Sequence, residues 1–472
     1  MFSKQPHGVS RSLAALAVLG LLAFPSLALA QYGALYEHEA IAYSATDPDN
    51  PVSRLQERIA AGEATLKHDD EFGWLESLLR ELKIDESSQM LVFSKTSLQR
   101  RAISPRTPRA LYFNDTTYIG YPNGGEIIEI SVADPELGAV FYSLDQSNAN
   151  RPIITRETDR CLVCHASSAH TDGIPGHIVR SVFTDERGFP ELSLGSFQTT
   201  PESPVQERWG GWYVTGRVGE NPHLGNQFVE PSEDVERYSP ACEEHATWPS
   251  KVAEADYPGD TSDIAALLVL EHQVAVHNVL TRARFATERA LWDERVLDEA
   301  FGESDDQLRD STRGRIDRAA TALVEQLFCL EAAPLAPGIV PDAEFVKQFA
   351  ARGRRDSQGR SLRDFGLETR LFRYPCSFLV YGEAFRTLPR ELKTIVVARM
   401  TAWLTNGIPE RDAAMTAADR KAILEILRQT HPDFAKPADS DNSRDVSRRF
   451  RAPAVAPRPV SVRVEPLIRI AG

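Results

Sequence analysis

Methionine is scarce in this chain of 472 residues. Four occur, and after Met90 the next is Met400, so the middle of the chain has no thioether side chain. That removes the usual soft sulfur ligand other than cysteine from the region. Cysteine is sparse as well: of five, a single pair is spaced C-x-x-C, and a zinc site built on it would need further ligands at matching spacing. Past Leu29 no stretch reads as apolar enough to cross a membrane, so no span is expected in the mature chain. Positive charge is not in excess. With 67 acidic against 53 basic residues the net charge is -14, which makes nucleic acid a poor partner. No internal repeat is found.

What is present is Cys161-Leu162-Val163-Cys164-His165. Two cysteines separated by two residues and followed at once by histidine form the attachment signature of c-type haem. Each thiol adds across one vinyl group, and the short loop holds both sulfurs on one edge of the macrocycle. His165 then falls under the iron as proximal ligand. The expectation is one covalent haem c, held by Cys161, Cys164 and His165. The bland alternatives are a surface disulfide and half of a zinc site.

The N-terminus points to a compartment that suits such a group. Lys4 and Arg11 precede an apolar stretch from Leu13 to Leu29, interrupted by Pro25 and Ser26, and Ala28-Leu29-Ala30 is a small-x-small cleavage pattern. A signal peptide over 1–30 and a soluble periplasmic product from Gln31 are expected. A retained anchor competes, but the stretch is short for a span. No cysteine follows the cleavage point, which argues against lipidation there. No twin arginine is present, so export unfolded, with haem attached afterwards, fits best. Loss of Lys4 and Arg11 leaves the chain two units more acidic. That charge suits a basic periplasmic redox partner, although solubility explains it equally well. For Cys242, Cys329 and Cys376, one pair plus a leftover is the simplest arithmetic in an oxidising compartment, and three buried thiols are the alternative.

The expected fold class is α+β: a β-rich haem-bearing region followed by a helical region, not the small helical fold of a class I cytochrome c. Residues 31–88 read as an N-terminal helical segment. Ser53 and Gln56 suggest a capping box, and Trp74, Leu75, Leu78, Leu79 and Leu82 fall at helical spacing. Over 89–240 the period becomes two. Hairpins are expected for Leu111–Phe113 with Tyr118–Tyr121, Glu126–Val132 with Ala139–Leu144, and His177–Phe183 with Leu192–Phe197. Arg208-Trp209-Gly210-Gly211-Trp212-Tyr213 reads as a Trp-rich strand whose glycines allow close backbone approach, against the haem face if it lies there. The region 260–435 reads as helical and packed on the haem region. A buried helix starts near Ile264 and runs past Arg282 towards Ala300, and others lie around Arg315–Leu330 and Pro389–Thr405. Residues 436–472 read as a disordered basic tail rich in Pro and Arg, with seven Arg and two acids from Arg444 onward.

The methionine gap after His165 turns attention to histidine for the sixth iron position, unless that position is open. His272 is the leading candidate, because its helix is expected to be buried and would hold the ring fixed. His277 and His223 are alternatives, and His177 could line the pocket. His272 and His277 are five residues apart, on different sides of a helix. Arg180 and Arg208 are candidates for a haem propionate, with a surface arginine as the bland reading of each.

Several segments also resemble a family of largely uncharacterised bacterial cytochrome c domain proteins. They are Ser88–Ser97, Leu137–Tyr142, the haem motif, Pro175–Val182, Arg208–Gly216, Leu270–Gln273 with His277-Asn278, and Arg373–Ser377. The resemblance spans most of the mature chain without the tail. It implies haem c binding and electron transfer, assigns no reaction, and makes Cys376 look like a structural position.

Two functions remain. One is a monohaem electron carrier or redox subunit with both iron faces filled. The other is a haem enzyme, peroxidase-like or another oxidoreductase, with an open or displaceable face and His272, His277 or His223 as distal acid or base. A gas or redox sensor is a third reading, but no signalling module follows the helices. Length favours the enzyme; the motif supports only redox.

Overall fold

Asn50 starts the first helix, α1 (Pro51–Ala60), by accepting the backbone N–H groups of Val52 and Ser53, while Ser53 returns a contact to the Asn50 backbone. The capping box therefore lies one turn earlier than Ser53 with Gln56. Pro51 lacks an N–H at a position where none is needed, and Asn50 is itself anchored by Asp134 and Tyr142. The computed structural model describes residues 34–229, 240–242, 245, 252, 257–302, 307–408 and 415–435. The expected signal peptide over 1–30 and tail over 436–472 lie outside the described residues. Helix α2 (Leu75–Glu81) buries Leu75, Leu78 and Leu79, as their spacing requires.

The period-two stretch builds a six-stranded antiparallel meander. It runs in chain order through β1 (Met90–Val92), β2 (Arg109–Phe113), β3 (Thr117–Pro122), β4 (Ile127–Asp134), β5 (Gly138–Asp145) and β6 (Ile154–Glu157). Alternate residues feed two cores. Met90 and Val92 join the core shared with the helical region, whereas Leu91 and Phe93 join the core shared with α1 and α2. Segment 34–88 is thus packed on the sheet rather than standing alone. The motif follows in two short turns, α3 (Leu162–His165) and α4 (Ser168–Thr171). A two-stranded sheet of β7 (Arg180–Val182) and β8 (Ser196–Gln198) comes next.

Two expectations in this region need correction. The third hairpin is shorter than expected: Leu192–Leu194 is a 3-10 turn, and Gly195 at φ 117° breaks the ladder before β8. Nor is Arg208–Tyr213 a strand. Trp209 and Gly211 are left-handed (φ 67° and 81°), and one bridge, Trp212 to Val92, ties the segment to β1. The close approaches allowed by the glycines are to protein. A Cβ on Gly210 would lie 2.7 Å from the Val182 carbonyl oxygen, and one on Gly211 would lie 2.6 Å from the Ser94 Cβ.

Asp263 caps α5 (Ile264–Phe301), accepting from Ala265 and Ala266, and the helix runs unbroken for 38 residues to a left-handed Gly302. Contrary to the sequence reading, this helix is long and apolar enough to cross a membrane by composition. Its apolar window is 94% buried inside the protein, as in the core helix of a folded domain. The remaining helices are α6 (Asp310–Leu327), α7 (Ala343–Ala351), α8 (Glu383–Arg386), α9 (Arg390–Asn406) and α10 (Ala417–Thr430). Of these, α7, α8 and α10 were not read from sequence. Together the elements make an α+β fold with α5 as the spine between sheet and helices.

Candidate functional site

The motif begins directly after β6, with Cys161 capping one helical turn. The turn is closed by the His165 N–H on the Cys161 carbonyl oxygen at 3.0 Å. Spacings of three and four residues put Cys161, Cys164 and His165 on one side of that turn. Cys164 is exposed and Cys161 half-buried, while Val163 between them is 76% exposed. Burial, with the nearby Glu157 and Glu129 carboxylates, pushes the Cys161 thiol up to about 11. It is therefore protonated at neutral pH.

After α4 the chain reverses through left-handed Asp172 and Gly173 and brings Pro175-Gly176-His177 back against the motif. Two hydrogen bonds tie the strands of this reversal. The Gly176 N–H donates to the His165 carbonyl oxygen at 2.8 Å, and the His165 Nδ1 lies 3.0 Å from the Gly176 carbonyl oxygen. Since a carbonyl only accepts, Nδ1 carries the ring proton and the lone pair sits on Nε2. Among the described residues nothing hydrogen-bonds Nε2. Burial lowers the His165 pKa and keeps the ring neutral. A neutral imidazole with Nδ1–H on a carbonyl and Nε2 free is the arrangement of a metal-ligating histidine.

The returning segment is fixed by α5. Asn278 accepts the His177 N–H at 2.9 Å and donates to the His177 carbonyl oxygen at 2.8 Å. The start of β5 completes the clamp. Ala139 donates to the Pro175 carbonyl oxygen, and a Cβ on Gly138 would lie 2.4 Å from the Thr281 side chain. Phe141, on β5, sets its ring 4.7 Å from that of His165 and 6.4 Å from that of His177.

Behind the motif lies a row of buried rings. His177 contacts Tyr118 at 4.6 Å and His277 at 6.2 Å between centroids. Among the described residues neither ring nitrogen of His177 has a hydrogen-bond partner, and burial drives its pKa well below the ordinary value. His177 follows the residue whose carbonyl receives Nδ1, and its ring has Phe141 as a neighbour in common with that of His165.

The structure brings Cys161, Cys164 and His165 together but leads the other candidates elsewhere. His272 sits in the helical core, with Nε2 2.8 Å from the Ser377 hydroxyl and Nδ1 3.9 Å from the Cys329 sulfur, its ring between Phe372 and Phe378. It shares no ring neighbour with His165. The Nε2 of His277 donates to the Asp115 carbonyl oxygen at 2.9 Å. His223 packs on Trp209 and receives the Gly225 N–H on its Nδ1. Arg180 on β7 meets the Ser196 hydroxyl. Arg208 is buried against Glu271 at 2.7 Å and also donates to the Pro201 and Ser203 carbonyl oxygens, so its guanidinium is already occupied. All five cysteines carry free thiols, with Cys376 buried and Cys242 exposed.

Sequence reasoning missed Gly176, Asn278 and Phe141 as the parts that set the His165 ring. Asn278 and Gly176 lay within the segments that carried the resemblance, but nothing local marks them as partners across 102 residues of chain. Among the described residues, no group of three or more His, Cys, Asp and Glu side chains is placed to hold a metal ion, which leaves the zinc reading without further ligands. Compared with family models, with curated proteins and with solved structures, the chain matches none.

Proposed function

We propose that the chain is a periplasmic monohaem c-type cytochrome that passes electrons to a redox partner. Cys161 and Cys164 would hold the haem through thioethers, and His165 would be its iron ligand. The observation that carries the reading is the His165 ring itself. Its proton is fixed on Nδ1 by the Gly176 carbonyl oxygen, and its Nε2 has no hydrogen-bond partner among the described residues, on the same helical turn as the half-buried Cys161 and exposed Cys164 thiols. The haem, when bound, supplies one-electron chemistry at iron. The protein supplies a neutral imidazole oriented by the Gly176 carbonyl oxygen and Phe141, with Asn278 fixing the segment that carries Gly176.

The other partners of His272, His277 and Arg208 favour keeping the second reading, an oxidoreductase with an open or displaceable iron face. A denaturing gel stained for haem peroxidase activity tests attachment: the band should stain, and should lose the stain in the double variant Cys161→Ala, Cys164→Ala. A band that stays stained in that variant refutes the assignment. The ferric optical spectrum then separates the readings, low-spin for two strong ligands and high-spin for an open face.

A further inference from the structure

We propose that a cleft between the β2–β3 turn and the helical region binds a small organic or inorganic oxyanion, a carboxylate or a phosphate. The cleft has a volume of about 320 Å³ and is lined by Arg352, Arg354, Arg363, His277, Asp115 and Tyr381, among others. That volume suits a small metabolite.

The three arginines arrive on one stretch of chain after α7, and each is held by a ring. Arg363 lies over Phe349 and Phe378, at 4.7 and 4.1 Å from the ring centres. Arg352 lies over Phe349 at 5.7 Å and Arg354 over Tyr381 at 5.0 Å. Stacking fixes the planar forks in advance, so little rotamer entropy is lost when an oxyanion arrives. Two carboxylates also line the cleft, Asp115 and Glu383, so three guanidiniums face two acids in a protein whose net charge is -14. Glu383 is drawn towards Arg54, at 3.6 Å.

Three buried polar atoms in the lining lack a hydrogen-bond partner among the described residues: one donor, on Arg363, and two acceptors, on His277 and Asp115. Arg363 is 5% exposed; one of its terminal nitrogens meets Asp115, and the other, Nη1, has no hydrogen-bond partner. His277 is also 5% exposed; its Nε2 donates to the Asp115 carbonyl oxygen, so its Nδ1, which has no partner among the described residues, is a lone pair that can only accept. Buried polar groups normally find partners: the lone pairs of an oxyanion would meet the Arg363 N–H, and a protonated oxygen of the same ligand, as in hydrogen phosphate, would donate to the His277 Nδ1. Asp115 now takes the place such an anion would compete for, since its carboxylate also lies 3.6 Å from Arg352. The inference does not depend on the haem reading.

Isothermal titration of the full-length protein at low ionic strength tests it, with inorganic phosphate and succinate as probes and ethanolamine as a cationic control. One of the anions should bind saturably at one site, and ethanolamine should not bind. Arg352 and Arg354 are exposed, so Arg352→Gln with Arg354→Gln keeps the fold while weakening binding at least tenfold. Asp115→Asn should act in the opposite sense and tighten binding several-fold, because it releases two guanidiniums. Phosphate binding alone identifies a phosphate site, and succinate binding alone a carboxylate site. Absence of binding by both anions, equal binding of ethanolamine, or affinity unchanged in the arginine double variant overturns the proposal.

Discussion

The Nδ1 of His165 lies 3.0 Å from the carbonyl oxygen of Gly176, and the Gly176 N–H returns a bond to the His165 carbonyl oxygen. Two residues eleven apart are thereby locked as a pair, and the direction of the His165 lone pair follows from it. The consequences can be measured.

Gly176→Ala should loosen this lock. A Cβ at that position would lie 2.7 Å from the Asn278 Oδ1, and Asn278 cannot swing aside without losing its bonds to His177. Overpacking of this kind costs about 1–3 kcal/mol. Urea unfolding should show that loss, and the fraction of chains carrying stainable haem should fall with it. An unchanged midpoint would mean that the segment has room the structure does not show.

Arg208→Ala should be among the most destabilising single changes. It leaves Glu271, 1% exposed, as a buried carboxylate without its counter-ion. Removing one partner of such a pair costs about 3–5 kcal/mol. The double variant Arg208→Met, Glu271→Leu should recover most of the loss in thermal unfolding. Failure to recover would show that the Pro201 and Ser203 carbonyl oxygens, not the charge, need the guanidinium.

His272→Ala separates the sequence reading from the structural one. As a sixth ligand, His272 would convert a low-spin ferric spectrum to high-spin on removal. Its ring instead meets Ser377 and Cys329, so the spectrum should not change. Loss of the ring and of its hydrogen bond should lower stability by about 1–3 kcal/mol. A shift in spin state would return His272 to the iron.

Acid should unfold the protein early. Burial lowers His272 to about 3 and His277 to about 4, from an ordinary value of 6.5. The unfolded chain takes up protons below pH 6.5 that the folded chain refuses. The contribution is whole above that value and is lost as pH falls towards 4 and then 3. His177, also lowered, adds in the same direction. Glu271 works the other way, because burial raises its carboxyl above the ordinary range. Between about pH 6.5 and about pH 5 His272 and His277 should each remove roughly 2 kcal/mol. Urea midpoints measured across that window check it, and a flat profile would show that these rings are not held neutral.

The elements that sequence reasoning found share a strong local signal. The β2–β3 and β4–β5 hairpins flank the turn residues Asn114-Asp115 and Asp134–Gly138, with alternating burial along most of β2 and β4, and α5 is apolar on all sides for its first turns. The misses have identifiable causes. The Arg208–Tyr213 segment has the aromatic content of a strand, but Trp209 and Gly211 turn left-handed to pass between β7 and Ser94. Helices α7 and α10 carried local signals that sequence reasoning passed over: Asp342 and Thr416 cap them, and Phe345 with Phe349 and Ile423 with Leu427 fall at helical spacing.

By itself the sequence determined the motif, because two thiols and an imidazole at fixed short spacing are read within the five residues 161–165. It also determined the succession of sheet and helix, since binary patterning is local. The partners of each histidine were decided only by the tertiary structure. Whether a ring meets a carbonyl, a hydroxyl or nothing depends on chain that returns from far away, as Gly176 does to His165 and Ser377 to His272. The same holds for the arginine cleft. Arg352, Arg354 and Arg363 look like scattered surface charge until folding sets them beside Asp115, more than 230 residues earlier in the chain.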